Sequence, residues 1–257
     1  YFIDVFWDEM SKEEALRNLA GRTSNYLSYE LDENLTDEEI EVEWLYTLEV
    51  KLKKIVEKEG YYYLGGKTQG FYGAYIWKKN IEKDVEVELP NGKMSLKLVL
   101  MKGFVCRSWL AYVSFNKAST GGWAGENQFI YCVWIANVGR YYLPSFQVNF
   151  LKHEAQHMND YIEFENMSSV DLEYRAKLVE LIYGRSIRKF FEFMHQANDE
   201  DKNNDHAYAS YLLTRNISKK IFQGEYVTEL SPWKNKYREI KRFALELLHE
   251  YPNGVIE

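Results

Sequence analysis

Two histidines and a glutamate stand together in Phe150–Asp160, FLKHEAQHMND. They are His153, Glu154 and His157, in the pattern His-Glu-x-x-His. On a helix, residues four apart share a face. At ~100° and ~1.5 Å per residue, His153 and His157 lie about 40° apart around the axis and about 6 Å apart along it. Two imidazoles so placed can hold one metal ion. Glu154 is rotated by about 100° from His153, so it flanks the ion and can reach a water there rather than joining the ligands. Two ligands, one general base and a helix that sets their geometry are the components of metal-assisted hydrolysis.

A catalytic zinc takes a third protein ligand and keeps one position open. Asp160 shares the stripe but lies about 10 Å along the axis from His153, too far for a short side chain to share the ion; a structural role suits it. Glu163 is farther still and turned away. Glu173 opens the next helical stretch, with 15 residues between it and His157. That length lets the first helix end, the chain turn at ENMSS, and an antiparallel helix bring the carboxylate back. The expected centre is therefore Zn2+ on His153, His157 and Glu173, with Glu154 as the base.

A helix carrying HEAQH, followed by a glutamate on the next helix, resembles the zincin metallopeptidases, and among them the gluzincins with their downstream Glu ligand. The resemblance covers about residues 108–183. It implies a zincin-like fold, hydrolysis of a peptide or protein substrate, His153, His157 and Glu173 as ligands, and Glu154 as base. It also implies an edge strand beside the active helix that pairs with extended peptide, at 127–135 or at the loop Gly121–Gly125. A tetrahedral oxyanion needs a donor besides the metal. His206 and Tyr208, in DHAYASYLL, are the catalytic candidates for it, with Tyr211 and Arg175 behind them. His195 and His249 are left out of the site. The metzincin variant is excluded, because Asp160 and Glu163 stand where it requires Gly and His. The thermolysin-like pattern has Asn before its ligand Glu and Asp shortly after; here those places hold Leu172 and Lys177. The alternative from another class is a degenerate zincin that binds or senses without catalysis. A third is a helix whose two histidines bind nothing.

The elements that must position these residues show in the periodicity. Ser11–Glu14 and Thr36–Glu39 each place a hydroxyl three residues before a Glu, a helix-start signature. The second opens an amphipathic pattern through Trp44, Leu48, Leu52 and Ile55, ending near Gly60. An aromatic, glycine-rich connection, YYYLGGKTQGFYGAYIW, follows. From Val85 the period becomes two: VEVEL, Pro90-Asn91-Gly92 and KMSLKLVLM predict a hairpin. SWLAYVSF at 108–115 and NQFIYCVWI at 127–135 predict two further strands around the loop ASTGGWAGE. After Pro144, with Ser145 as N-cap, the helical period returns through the motif. A second helix starts at Ser168–Asp171 and runs through LEYRAKLVELIYGRSIRKFFEFMHQ, and two more cover about 206–222 and 232–250. The expected fold is α+β in one domain, 1–257: a mainly helical part at 1–80, a small mixed or antiparallel sheet at 81–136, and a helical part at 137–257 that carries the metal site.

Composition narrows the partners. With 46% hydrophobic and 28% charged residues, the 257-residue chain can build an ordinary globular core. Its formal net charge of -7 argues against a nucleic-acid partner, since phosphate binding wants a basic face. No apolar run is long enough for a membrane span. Cys106 and Cys132 are expected as thiols rather than a disulfide framework. Residues 199–210 carry the alternating acids and amides of a calcium loop but lack its Gly and its final Glu, so a solvated loop is expected. LGGKTQG at 64–70 lacks phosphate-loop spacing. The chain opens at Tyr1, as after a removed signal peptide or a trimmed start, so its compartment stays open, as does its oligomeric state.

Overall fold

A computed structural model describes residues 10–11, 14–15, 17–19, 21–22, 44–65, 67–68, 71–115, 117, 120–125, 128–202 and 204–250. It mixes helices and strands in an α+β arrangement of two compact units, residues 1–80 with 101–120, and residues 81–100 with 121–257.

In the first unit, helix α1 (Trp44–Lys58) carries on the amphipathic pattern and stops at Gly60, whose φ of 80° only glycine adopts freely. The start expected at Thr36–Glu39 lies outside the described residues. Ser11 Oγ accepts from Glu14 N at 3.2 Å, as its cap pattern requires. The aromatic connection, which has no clean period, carries strands. It forms β1 (Tyr62–Leu64), β2 (Lys67–Thr68), β3 (Phe71–Tyr72) and the start of β4 (Tyr75–Leu89). Aromatic residues suit a half-buried pleated surface. Here Tyr63, Tyr75 and Trp77 turn inward while Tyr62 stacks on Trp77 across the β1–β4 pair at 5.6 Å.

Strand β4 joins β5 (Gly92–Arg107) through a two-residue turn at Pro90-Asn91, as a hairpin should. Beyond β5 the expected strand at 108–115 is instead helix α2 (Trp109–Val113). Ser108 leaves the strand at φ 75°, and its Oγ caps the helix by accepting from Ala111 N at 3.3 Å. That local cap outweighs the β preference of Trp, Tyr and Val.

In the second unit the sheet continues with β6 (Gly122–Ala124) and β7 (Phe129–Val133), in the strand order β1-β4-β5-β7-β6. Strand β7 is shorter than expected, because the chain turns helical at Trp134–Asn137. Strand β6 lies inside the stretch expected to be loop. It pairs antiparallel with β7, Trp123 opposite Tyr131, and forms the edge. The Asn137 amide anchors this corner by donating to Gly121 O and Val133 O, both at 3.1 Å. Gly122 is required here: at φ 154° a Cβ would stand 2.1 Å from Tyr131 O and 2.6 Å from the Phe150 ring.

Pro144, not Ser145, opens the next helical turn, with Leu143 as a cap that offers no side-chain bond. The turn passes into a π-helical segment, Gln147–Lys152, and then into α3 (His153–Glu163). Ser168 caps α4 (Ser169–Tyr183) as its spacing predicts, accepting from Asp171 N at 3.1 Å. This helix does not run to Gln196. It breaks at Gly184, whose carbonyl accepts from the Tyr237 hydroxyl and, at 3.3 Å, from Lys241 Nζ. A separate α5 (Arg188–Gln196) follows, then α6 (Asp205–Ile221) and α7 (Tyr237–Glu250).

Helix α4 is buried on nearly every side from Leu172 to Leu181, and α3, α6 and α7 pack on it. Its buried charged residues, Arg175, Lys177 and Glu180, must therefore find partners within the packing. The core joins Leu96, Leu98 and Leu100 of β5 and Ile130 of β7 to Leu178, Leu212 and Trp233. Among the described residues, no helix is long and apolar enough to cross a membrane.

Candidate metal centre

Helix α3 presents His153 and His157 one turn apart, with their Nε2 atoms 3.0 Å from each other. Antiparallel packing of α4 on α3 is possible because the chain turns at 164–168, and it delivers Glu173 to the same point. Glu173 Oε1 is 3.4 Å from His157 Nε2, and Oε2 is 3.7 Å from His153 Nε2. One ligand atom from each residue can be chosen so that all lie within 4.8 Å of one another. The group could therefore hold a metal ion. Ligands about 2.0–2.1 Å from a tetrahedral zinc stand about 3.3 Å apart, and the observed separations bracket that spacing. Glu173 Oε2 is buried, with His206 Nδ1 at 2.8 Å and His153 Nε2 at 3.7 Å around it.

Glu154 flanks the pair, half-buried. Its Oε2 accepts from the backbone N–H of Ala124, on edge strand β6, at 2.8 Å. Burial lifts the Glu154 carboxyl above the usual carboxylate range, with His157 and His153 pulling it back. For Glu173 burial also pushes upward, but contacts with His153, His157 and His206 outweigh it and hold the carboxyl far below that range.

His206 stands at the start of α6, its side chain 59% exposed, with Nδ1 2.8 Å from Glu173 Oε2. Asn204 makes this placement by capping the helix, its Oδ1 accepting from Ala207 N at 3.2 Å. Tyr208 is not turned the same way. It is a core residue stacked on Tyr211, with ring centroids 6.0 Å apart. Asp160 and Arg175 are fully buried against each other, Nε to Oδ2 at 2.9 Å, and Gln156 donates to Asp160 Oδ1 at 2.7 Å. Both are thus structural, as the helix geometry predicts for Asp160. His195 and His249 are exposed on α5 and α7.

Two neighbours of the centre escaped the sequence reading. Glu180 Oε1 lies 2.8 Å from His153 Nδ1, and Lys189 Nζ lies 3.5 Å from Glu180 Oε2. The signal for Glu180 was its place two turns beyond Glu173 on one helix; Lys189 belongs to another helix and left none. Compared with models of known families, with curated proteins and with solved structures, the chain matches none.

Proposed function

We propose that this protein is a zinc-dependent peptidase of zincin-like build. His153, His157 and Glu173 would hold the ion, and Glu154 would act as the base. The observation that supports the reading most is the convergence of two imidazole nitrogens and one carboxylate, with a second carboxylate beside them. When bound, zinc supplies Lewis acidity and a nucleophile at neutral pH. The remaining steps fall to the chain's own groups. Glu154 takes a proton from the attacking water and passes it to the leaving amine nitrogen. Its raised basicity suits the first transfer, and the Ala124 N–H holds one of its oxygens in place.

Edge strand β6 lies beside the active helix, and we assign an extended peptide to its outer side. His206, exposed and next to Glu173, is the donor we assign to the developing oxyanion. Tyr208 is the weaker candidate, since its ring is committed to the core.

The test uses purified protein, its zinc content and a broad peptide library. Glu154→Gln should keep stoichiometric zinc and lose hydrolysis by about 10²–10⁴-fold. Zinc-loaded wild type that cleaves nothing would favour a non-catalytic binding module. Wild type that binds no zinc would end the metal reading altogether.

A further inference from the structure

The two ring nitrogens of His153 have different neighbours. Nε2 faces His157 Nε2 at 3.0 Å and Glu173 Oε2 at 3.7 Å, while Nδ1 faces Glu180 Oε1 at 2.8 Å. A neutral imidazole carries one N–H, and a metal needs the lone pair of the other nitrogen. A carboxylate can only accept. With a Glu180 oxygen 2.8 Å from Nδ1, the ring N–H of a neutral His153 is placed there, and Nε2 faces Glu173 and His157.

Glu180 suits this work because it shares a helix with Glu173. Seven residues make nearly two turns, about 10 Å along the axis and within about 20° of the same face. Helix α4 can thus place one carboxylate at each side of the His153 ring. Lys177, between them, goes elsewhere: its Nζ donates to Gln196 Oε1 at 3.2 Å. Glu180 is only 4% exposed, and a buried carboxylate must be compensated. Lys189 does this from the far side at 3.5 Å, itself paired with Glu192 at 2.6 Å. Helix α5 therefore reaches the centre although it contributes no ligand.

We propose that Glu180, held in place by Lys189, is the positioning residue that fixes His153 in the ring orientation and tautomer a metal ligand needs. The proposal rests on the metal reading above and assigns to α5 a part in metal affinity. Carboxylates that hold a ligand histidine in this way are worth about 10–100-fold in affinity.

The experiment titrates the full chain with Zn2+ against a chromophoric chelator. Glu180→Leu should weaken zinc binding by about 10–100-fold. Glu180→Gln, which keeps an accepting oxygen, should weaken it less. Lys189→Met should act in the same direction, and adding it to Glu180→Leu should cost nothing more, because Lys189 works through Glu180. Wild-type affinity in Glu180→Leu would overturn the proposal while leaving the metal reading intact. Failure of wild type itself to bind zinc any better than His153→Ala would overturn both. A second measurement needs no variant. In 15N-histidine-labelled, zinc-loaded wild type, His153 should carry its proton on Nδ1 and bond through Nε2. A proton on Nε2, or metal on Nδ1, would overturn the proposal even if Glu180→Leu did not fold.

Discussion

Glu154 and Glu173 are the same residue type beside the same two histidines, and their surroundings drive them apart. Burial raises Glu154, whereas three histidine contacts keep Glu173 ionised. Divergent carboxyls of this kind suit the two roles we propose, a stronger base and a permanent carboxylate. His153 is the third member. Burial opposes its protonation, but Glu173 and Glu180 outweigh that and raise it to about 10. A ligand imidazole must be neutral, so zinc bound as proposed would displace this proton. Raising the pH toward that value removes the competing proton. Zinc binding at pH 7 should therefore release protons, and apparent affinity should rise from pH 6 to pH 8. Calorimetry in two buffers of different ionisation enthalpy reads this; affinity flat or falling with pH would contradict it. Cys132 offers a check away from the site. Burial pushes its thiol up to about 12, against the Asn137 amide that donates to it. It should resist iodoacetamide at pH 8 in the native protein and react once urea exposes it. Fast native labelling would show the β7 corner to be open. Residue types and spacing made His153, Glu154 and His157 legible in advance, because one helix carries all three. Glu180 and Lys189 were not, because their meaning depends on what lies across from them.

At the scale of elements, the centre requires α3 and α4 to keep one register. The Asp160–Arg175 pair sets it, since Asp160 lies three residues after His157 and Arg175 two after Glu173. Both side chains are buried, and Arg175 Nη1 also donates to Leu248 O of α7 at 3.2 Å. Removing one partner of a buried pair strands the other, at a cost of about 3–5 kcal/mol. Arg175→Met should lose that much in urea unfolding and lose zinc affinity with it. Exchanging both partners for apolar residues should cost clearly less, and equal costs would remove the ion pair from the account. Gly122→Ala tests the edge strand. A Cβ there meets Tyr131 O and the Phe150 ring, so the strand must move. We expect a loss of about 1–3 kcal/mol from overpacking. Unchanged stability, with unchanged peptide hydrolysis, would mean that β6 is not held by this contact. The elements that sequence reading missed were short or locally overridden. Three-residue β6 hides among glycines, and α2 depends on the single cap of Ser108. Caps at Ser168 and the Pro90-Asn91 turn were readable because each is complete within a few residues.

At the scale of the whole molecule, every residue assigned to the centre belongs to the second compact unit, 81–100 with 121–257. Zinc that binds only the folded site should stabilise that unit by mass action, by about 2.7 kcal/mol at a hundredfold excess over Kd. The thermal midpoint should rise with zinc in wild type, fall with a chelator, and stay unmoved by zinc in His157→Ala. An equal rise in that variant would place the effect at another site. Sequence alone determined what is local. It placed two imidazoles on one helical face with a carboxylate beside them, a capped second helix opening on Glu173, and a hairpin in an α+β chain. Such features follow from backbone geometry and a few neighbouring side chains. Tertiary structure decided the rest: that Glu173 returns to within 3.4 Å of His157, that β6 is the edge beside Glu154, and that Glu180 takes the far nitrogen of His153. Those contacts join residues up to 30 positions apart, and their meaning comes from packing around a central buried helix, which no local period encodes.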